Sequence, residues 1–354
     1  MKNLILAFYV LALAAFFTGC DRDRPAGDDG RLNVVATIFP QFDFVRQIAG
    51  DRVALTMLLS PGAESHGFEP TPRDMIALNN ADFFIYVGGH GDDWVRPLLT
   101  ALGREDLTAV TLLSMVDPVE LEQINYEHHG HHHDGHGHHH HDHHHHGHDE
   151  HAHHQSAAHA HDQHHGHHDG HAHHHHHEHH YDEHVWTCPR NAVLIVRALT
   201  EILSGLDPDN AYFFRQNAAA YIAELEELDR AFAAAVQDAE RRTVVFGDRF
   251  PFRYLTDTYG LTYFAAFTGC SAETQASPAT IAFLIETVRR EHIPVVFHIE
   301  FSNRLIANVI AEATGARLLE LHSVHNVSHA DFNAGVTYLD LMQRNVEILR
   351  EALN

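Results

Sequence analysis

The sequence predicts an α/β protein of two lobes, each a mostly parallel sheet flanked by helices, joined by a long linking helix and interrupted by a disordered His-rich insertion. Three observations carry this. Apolar runs of strand length alternate with helix-compatible stretches over residues 32–125 and again over 241–354, the pattern of parallel sheets covered on both faces. From Asp207-Pro208 to about Glu240, the apolar residues Tyr221, Leu225, Leu228 and Phe232 recur at three- and four-residue spacing, so one long helix buries a single face between the two alternating blocks. Between the blocks, residues 128–184 hold 33 of the 40 histidines, broken mostly by Gly, Asp and Ala. Such a tract has too little apolar surface to offset the entropy of ordering, so a disordered loop is expected there.

The elements follow in order. Asn33 to Ile38 reads as a buried strand, Gln41 to Ala49 as a helix closed by Gly50, and Val53 to Leu59 as the next strand. A turn-rich loop, Ser60 to Gly67, leads to a helix from about Pro72, a strand over Asp82 to Val87 and a helix around Trp94 to Leu102. Beyond the tract Pro189 opens a helix running to Leu203, and the linking helix follows. Alternation then resumes: strand Thr243 to Phe246, helix Phe252 to Tyr259, strand Leu261 to Phe267 and a helix from Ser277-Pro278. Strand Pro294 to Ile299, a helix from Asn303 to Gly315, strand Arg317 to Leu321 and a last helix from about Asp331 complete the chain.

At 354 residues and 44% hydrophobic content the chain can bury two cores, while a formal charge of −25 with His neutral disfavours nucleic acid or an anionic membrane surface and favours a cationic partner. The single lysine, Lys2, precedes the apolar run Leu4 to Phe17, the charged and apolar regions of a secretory signal. That run ends in Phe17-Thr18-Gly19-Cys20, which looks like a lipobox. Residues 1–20 are therefore expected to be a lipoprotein signal peptide, with Cys20 lipidated to give a membrane anchor, and residues 21–31 a linker. The remaining divisions are a first lobe over 32–125, the His-rich loop over 126–183, the helical connection over 184–240 and a second lobe over 241–354. Cys188 and Cys270 are expected to be free buried thiols, with a disulfide as the alternative in an oxidising compartment.

The tract makes metal the first functional hypothesis, because neutral imidazole is the commonest zinc ligand. A disordered tract binds ions loosely, so a specific site must use histidines held by folded sequence. Seven lie outside it: His66, His90, His292, His298, His322, His325 and His329. Ligands gather beyond the carboxyl ends of parallel strands, which is where His66, His322, His325, Asp248 and Glu300 fall. His184, the last of the tract, stands where folded sequence restarts at Val185-Trp186, so it can be held rigidly. A single histidine in a loop is usually a surface or capping residue, so it is their joint placement that points to a site. Asp248 and Glu300 can equally cap helices or hold a ligand imidazole in its tautomer.

Two segments carry a resemblance. Pro61-Gly62-Ala63-Glu64-Ser65-His66-Gly67-Phe68-Glu69-Pro70-Thr71-Pro72-Arg73-Asp74 resembles the first ligand segment of the ZnuA/TroA-type (cluster A-I) solute-binding proteins of zinc and manganese ABC transporters, and His184-Val185-Trp186-Thr187-Cys188-Pro189-Arg190-Asn191-Ala192 is similar to the second. The resemblance spans roughly residues 32–354, the His-rich insertion and long helix included. It implies two lobes with a metal buried between them, delivery to an ABC permease, and His66 and His184 as ligands. The chain departs from the family at the third position, where a gapless match places Arg249, which cannot ligate a cation. Either Asp248 substitutes, or imidazoles come from Leu321-His322-Ser323-Val324-His325-Asn326; the second is preferred, with His325 nearer the family's fourth-ligand position.

Histidine ligands with at most one carboxylate suit Zn2+, with Mn2+ as the runner-up. The expected protein is thus a monomeric, exported, membrane-anchored binder that captures zinc for a permease and carries out no catalysis. An exported zinc buffer without a transporter shares every residue named here. A secreted zinc hydrolase is disfavoured because the His-Glu-x-x-His spacing is absent: four residues after His177 stands Tyr181. Because ligating imidazoles must be deprotonated, affinity is expected to fall as pH drops through about 6.5.

Overall fold

Buried strands need apolar side chains on both faces, and the alternating apolar runs meet that need in two separate sheets. The computed structural model describes residues 30–64, 68–121, 181–269 and 276–354. In the first lobe, β1 (Leu32–Ala36), α1 (Phe39–Ala49), β2 (Val53–Met57), α2 (Pro72–Asn79), β3 (Phe83–Tyr86), α3 (Val95–Leu102) and β4 (Thr108–Thr111) build a four-stranded parallel sheet of order β2-β1-β3-β4. Val34, Phe83, Phe84 and Ile85 are fully buried, as a sheet covered on both faces requires. Pro40 falls in the first turn of α1, where its missing N–H costs nothing. Gln41 folds back so that its Oε1 accepts from the N–H groups of Thr37 and Ile38, closing the strand-to-helix turn.

The connection is two helices, α4 (Pro189–Leu206) and α5 (Ala211–Gln237), the latter the predicted linking helix. Phe214, Tyr221, Leu225, Leu228 and Phe232 form its buried stripe. In the second lobe, β5 (Thr243–Phe250), α6 (Arg253–Tyr259), β6 (Thr262–Thr268), α7 (Pro278–Arg290), β7 (Val295–His298), α8 (Leu305–Thr314) and β8 (Arg317–Glu320) repeat the first topology as a parallel sheet of order β6-β5-β7-β8. Two helices end the chain, α9 (His329–Asn333) and α10 (Tyr338–Leu353). Among the described residues no helix is long and apolar enough to cross a membrane.

Three boundaries differ from the sequence reading. β4 was not anticipated: its four residues are all half-buried at the sheet edge, so it lacks an apolar signature. The single last helix is two, because Gly335 takes φ +74° between them and Thr337 starts a new helix with a capping box to Asp340. β5 runs past Phe246 to Phe250 through a register shift between Phe246 and Arg249, so Asp248 lies within the strand rather than beyond it.

The lobes are tied through buried polar groups. Asp43 Oδ2 on α1 accepts the Tyr338 N–H at the start of α10 at 2.6 Å, and Arg46 donates to Val336 O at 3.1 Å. Tyr338 in turn donates from its hydroxyl to Trp186 O at 2.7 Å. Both sheets share the 2-1-3-4 pattern of order, so the loops after β1 and β3, and after β5 and β7, diverge and leave a crevice at the carboxyl ends.

Candidate metal centre

The crevice holds two adjoining cavities. One, of about 330 Å3, lies at the carboxyl ends of the first sheet and is lined by Thr37 after β1, Leu59 after β2, and Val87 and Asp92 after β3. The other, of about 40 Å3, lies at the carboxyl ends of the second sheet and is lined by Pro251 after β5, Gly269 after β6, Glu300 after β7 and Ser323 after β8. Two side chains line both: His184 and His325. Their ring centroids are 5.7 Å apart with the planes nearly perpendicular, and each ring also meets Trp186 edge to face, at 5.4 Å and 5.0 Å.

His184 is 1% exposed and is held twice by one carboxylate. Asp182 Oδ1 accepts the His184 backbone N–H at 2.9 Å and lies 3.0 Å from ring Nδ1. An ionised carboxylate can only accept, so the contact places a proton on Nδ1, and in the neutral imidazole Nε2 is then the lone-pair nitrogen open to a metal. Asp182 is itself fixed, since Tyr254 donates its hydroxyl proton to Asp182 O at 2.8 Å. Gly269 packs against the same ring: a Cβ there would stand 3.0 Å from His184 Cε1, 3.1 Å from its Nδ1 and 2.7 Å from Phe250 O, so the ring's position requires a glycine.

His325 is set by the turn before it. Val324 takes φ +61°, a left-handed conformation that β-branched residues avoid, and such strain persists only where neighbours enforce it. Here the Val324 N–H donates to His322 Nδ1 at 2.9 Å and the His325 N–H to Ser323 Oγ at 3.3 Å. Trp186, fully buried, donates from Nε1 to Ser323 O at 2.9 Å, so one indole locks the loop of the second lobe to the segment that carries His184. The His325 carbonyl accepts the Phe39 N–H of the first lobe at 3.4 Å.

The other predicted residues separate. His322 lines neither cavity; its Nδ1 accepts the Val324 N–H and lies 3.7 Å from Glu300 Oε1. Asp248 Oδ1 accepts its neighbour Arg249's N–H at 2.8 Å and Oδ2 faces the Ile299 N–H at 3.4 Å. Glu300 receives the Ser323 N–H at 2.7 Å and hydroxyl at 2.6 Å, and so braces the loop before His325. His90 sits at the rim of the larger cavity, 2.6 Å from Asp93, and His298 is buried within β7. His66, Cys20, Cys270 and the His-rich tract up to His180 lie outside the described residues. Cys188 is a free buried thiol, 3.3 Å from Thr258 Oγ1. Among the described residues, no three histidine, cysteine or carboxylate side chains come together around one point.

The structure adds residues that the sequence reading passed over. Asp182 was readable as a carboxylate two residues before His184; Asp92 and Glu183 were not, because only folding brings them together beside the larger cavity. Burial pushes Asp92 up to about 6, against the pull of the Gly88 and Val87 N–H groups on its Oδ2 and with the push of the Glu183 and Asp93 charges. Glu183 is raised too, by burial first, while its Oε1 takes the Gly91 N–H at 2.9 Å. Arg249 reaches across the smaller cavity to Glu64 Oε1 at 3.1 Å, so a cation from the second lobe meets an anion from the first.

Comparison with known proteins gives concordant results. The profile of the ZnuA family, described as zinc-uptake complex component A, periplasmic, matches residues 34–161 and 153–352. The chain is 28% identical over 353 residues to the zinc-binding lipoprotein AdcA of Streptococcus pneumoniae strain R6, covering 99% of this chain and 61% of that protein. It therefore spans less than two thirds of that relative's length. It is 25% identical over 349 residues to the high-affinity zinc uptake system protein ZnuA of Bacillus subtilis strain 168, covering 99% and 96%. The crystal structure of the Zn(II)-bound ZnuA-like domain of Streptococcus pneumoniae AdcA matches with a TM-score of 0.65 at 25% identity, covering 92% of this chain and 99% of that one. A mutant structure of the laminin-binding adhesin Lmb from Streptococcus agalactiae matches at 0.69 and 21% identity over 91% of this chain and all of that one, which shows a shared fold. With a family profile running through both lobes, the chain belongs to the ZnuA family of periplasmic zinc-uptake components.

Proposed function

We propose that this protein captures Zn2+ between its lobes and delivers it to an ABC permease for import, as an exported lipoprotein anchored through Cys20. The observation that carries this reading is the meeting of His184 and His325 where the carboxyl ends of both sheets face one another, with Asp182 holding His184 as an Nε2 donor. His66 is the third ligand of the proposal. Its neighbours on either side support it: Glu64 lines the smaller cavity and Phe68 the larger, and the two imidazoles lie between these cavities. His325 is preferred over His322 because the latter's Nδ1 is engaged by the Val324 N–H. Asp248, occupied by backbone N–H groups, serves the strand, and Glu300 acts by bracing Ser323.

Imidazole donors favour zinc over manganese, which prefers oxygen. The zinc-binding and zinc-uptake relatives support the same cargo. A protein that carries an ion needs tight binding with an escape route and neither an open coordination position for substrate nor a general base, so no catalysis is assigned. The 33 histidines of residues 128–184 are proposed to raise the zinc concentration available for capture.

Isothermal titration of mature protein lacking residues 128–180 tests the reading. One zinc per chain is expected, with His184→Ala or His325→Ala costing at least about a hundredfold in affinity through the loss of a metal bond and its oriented partner. Tight binding that survives His66→Ala and His184→Ala together would sink it.

A further inference from the structure

The segment leading to His66 is fastened to the opposite lobe by bonds that neither sheet requires. Ser60 to Glu64 leaves the first lobe after β2, yet its partners lie in the second. Asn326 Nδ2 donates to Ser60 O and to Ala63 O, each at 2.8 Å. The Gly62 N–H donates to Val327 O at 2.7 Å, and Glu64 pairs with Arg249 at 3.1 Å. Asn326 is 2% exposed, and its amide oxygen accepts the Val327 N–H at 2.9 Å. Both ends of the amide are thus engaged, which fixes its orientation and leaves no room for a flipped alternative.

We propose that Asn326 is a positioning residue for metal capture: its buried amide clasps Ser60–Glu64 against the second lobe beside His325, with Glu64–Arg249 as an outer latch. This rests on the metal-capture reading above. The clasp stands next to His325 in sequence, so one turn of the second lobe carries a proposed ligand and also holds the first lobe's Ser60–Glu64 segment. Release of the ion then requires the amide's two donated bonds to break, while the lobes stay joined through Asp43, Tyr338 and Trp186. The amide outweighs the ion pair. A buried polar group stripped of its partner costs far more than an exposed pair returns, and the Glu64 side chain is 63% exposed.

Stopped-flow transfer of zinc from the mature protein to a chelator, with hydrogen exchange on the metal-free protein, tests this. Asn326→Asp keeps the size but aims an anion at two carbonyl oxygens; release is expected to quicken about tenfold or more, and the Gly62 amide to lose protection while β5 and β7 keep theirs. Glu64→Arg and Arg249→Glu are each expected to quicken release roughly two- to fivefold, and the double exchange to restore most of it. Unchanged release and unchanged Gly62 protection in Asn326→Asp would overturn the proposal, as would protection lost throughout the second lobe, which would make Asn326 a folding residue. Should wild-type protein fail to bind zinc, the capture reading fails, yet exchange at Gly62 still decides the clasp: lost in Asn326→Asp it stands, retained it falls.

Discussion

Asp182 touches His184 at both its backbone N–H and its ring, so removing the carboxylate frees the tautomer and the ring angle together. Asp182→Ala is expected to weaken zinc binding 10- to 100-fold with the protein still folded, as seen by titration alongside an unchanged circular dichroism spectrum. Gly269→Ala acts on the same ring, since the new methyl crowds His184 Cε1 and collides with Phe250 O. It is expected to reduce affinity at least tenfold by tilting the imidazole, whereas a loss of stability alone would leave the affinity of the folded fraction intact. Asp92 belongs to pH rather than affinity. Its folded-state value of about 6 exceeds the ordinary 3.8, so between these values the folded chain keeps a proton that the unfolded chain has released. Stability from this group therefore falls as pH rises from about 4 to 6 and stays lower above. Asp92→Asn should raise the melting temperature relative to wild type at pH 7 and by less at pH 4.5. His184 and His325, which the fold brings together, could be singled out in the sequence because each stands at an abrupt boundary, a strand end or the restart of folded sequence. Asp92 and Asn326 could not, because their roles arise from partners far away in the chain.

Elements were legible where burial is symmetric. β1, β3, β5 and β7 are the inner strands of their sheets, and runs such as Phe83-Phe84-Ile85 or Val295-Val296-Phe297 announce them. β4 gives no such signal because its half-buried edge residues are two threonines, an alanine and one valine, whereas the edge strand β8 carries Leu318 and Leu319. β5 was read too short because its later half, Gly247-Asp248-Arg249, looks like a turn; in the fold Asp248 satisfies strand-end N–H groups and Gly247 lets α8 approach. A Cβ at Gly247 would run into the backbone of Ala307. Gly247→Ala is therefore expected to force β5 and α8 apart and to cost about 2–4 kcal/mol in chemical denaturation, a larger penalty than the fraction of a kcal/mol that the same change costs at an open surface position.

At the scale of the molecule, the repeated topology, the long helix and the position of the crevice followed from the order of elements, but the ties between the lobes did not. Asp43 and Tyr338 lie 295 residues apart, and nothing local in either marks the other. Burial raises the Asp43 carboxyl above its ordinary range, and Arg46 and the Tyr338 N–H pull it back. Asp43→Ala would strand that N–H and an arginine that is itself partly exposed, so a loss of about 3 kcal/mol is expected in denaturant unfolding, toward the low end for a broken buried pair. Arg249, where the resemblance places a ligand position, has a partner visible only at this scale: its guanidinium pairs with Glu64 across the crevice. The central claim is that one ion is gripped by imidazoles that folding brings together from distant parts of the chain. Anomalous scattering from zinc-loaded crystals, recorded on both sides of the zinc edge, tests it most directly. The account predicts one strong peak in the crevice, about 2.0–2.1 Å from Nε2 of His184 and bonded also to His325 and His66. A sole peak elsewhere, or one in the crevice that neither His184 nor His325 touches, would contradict it.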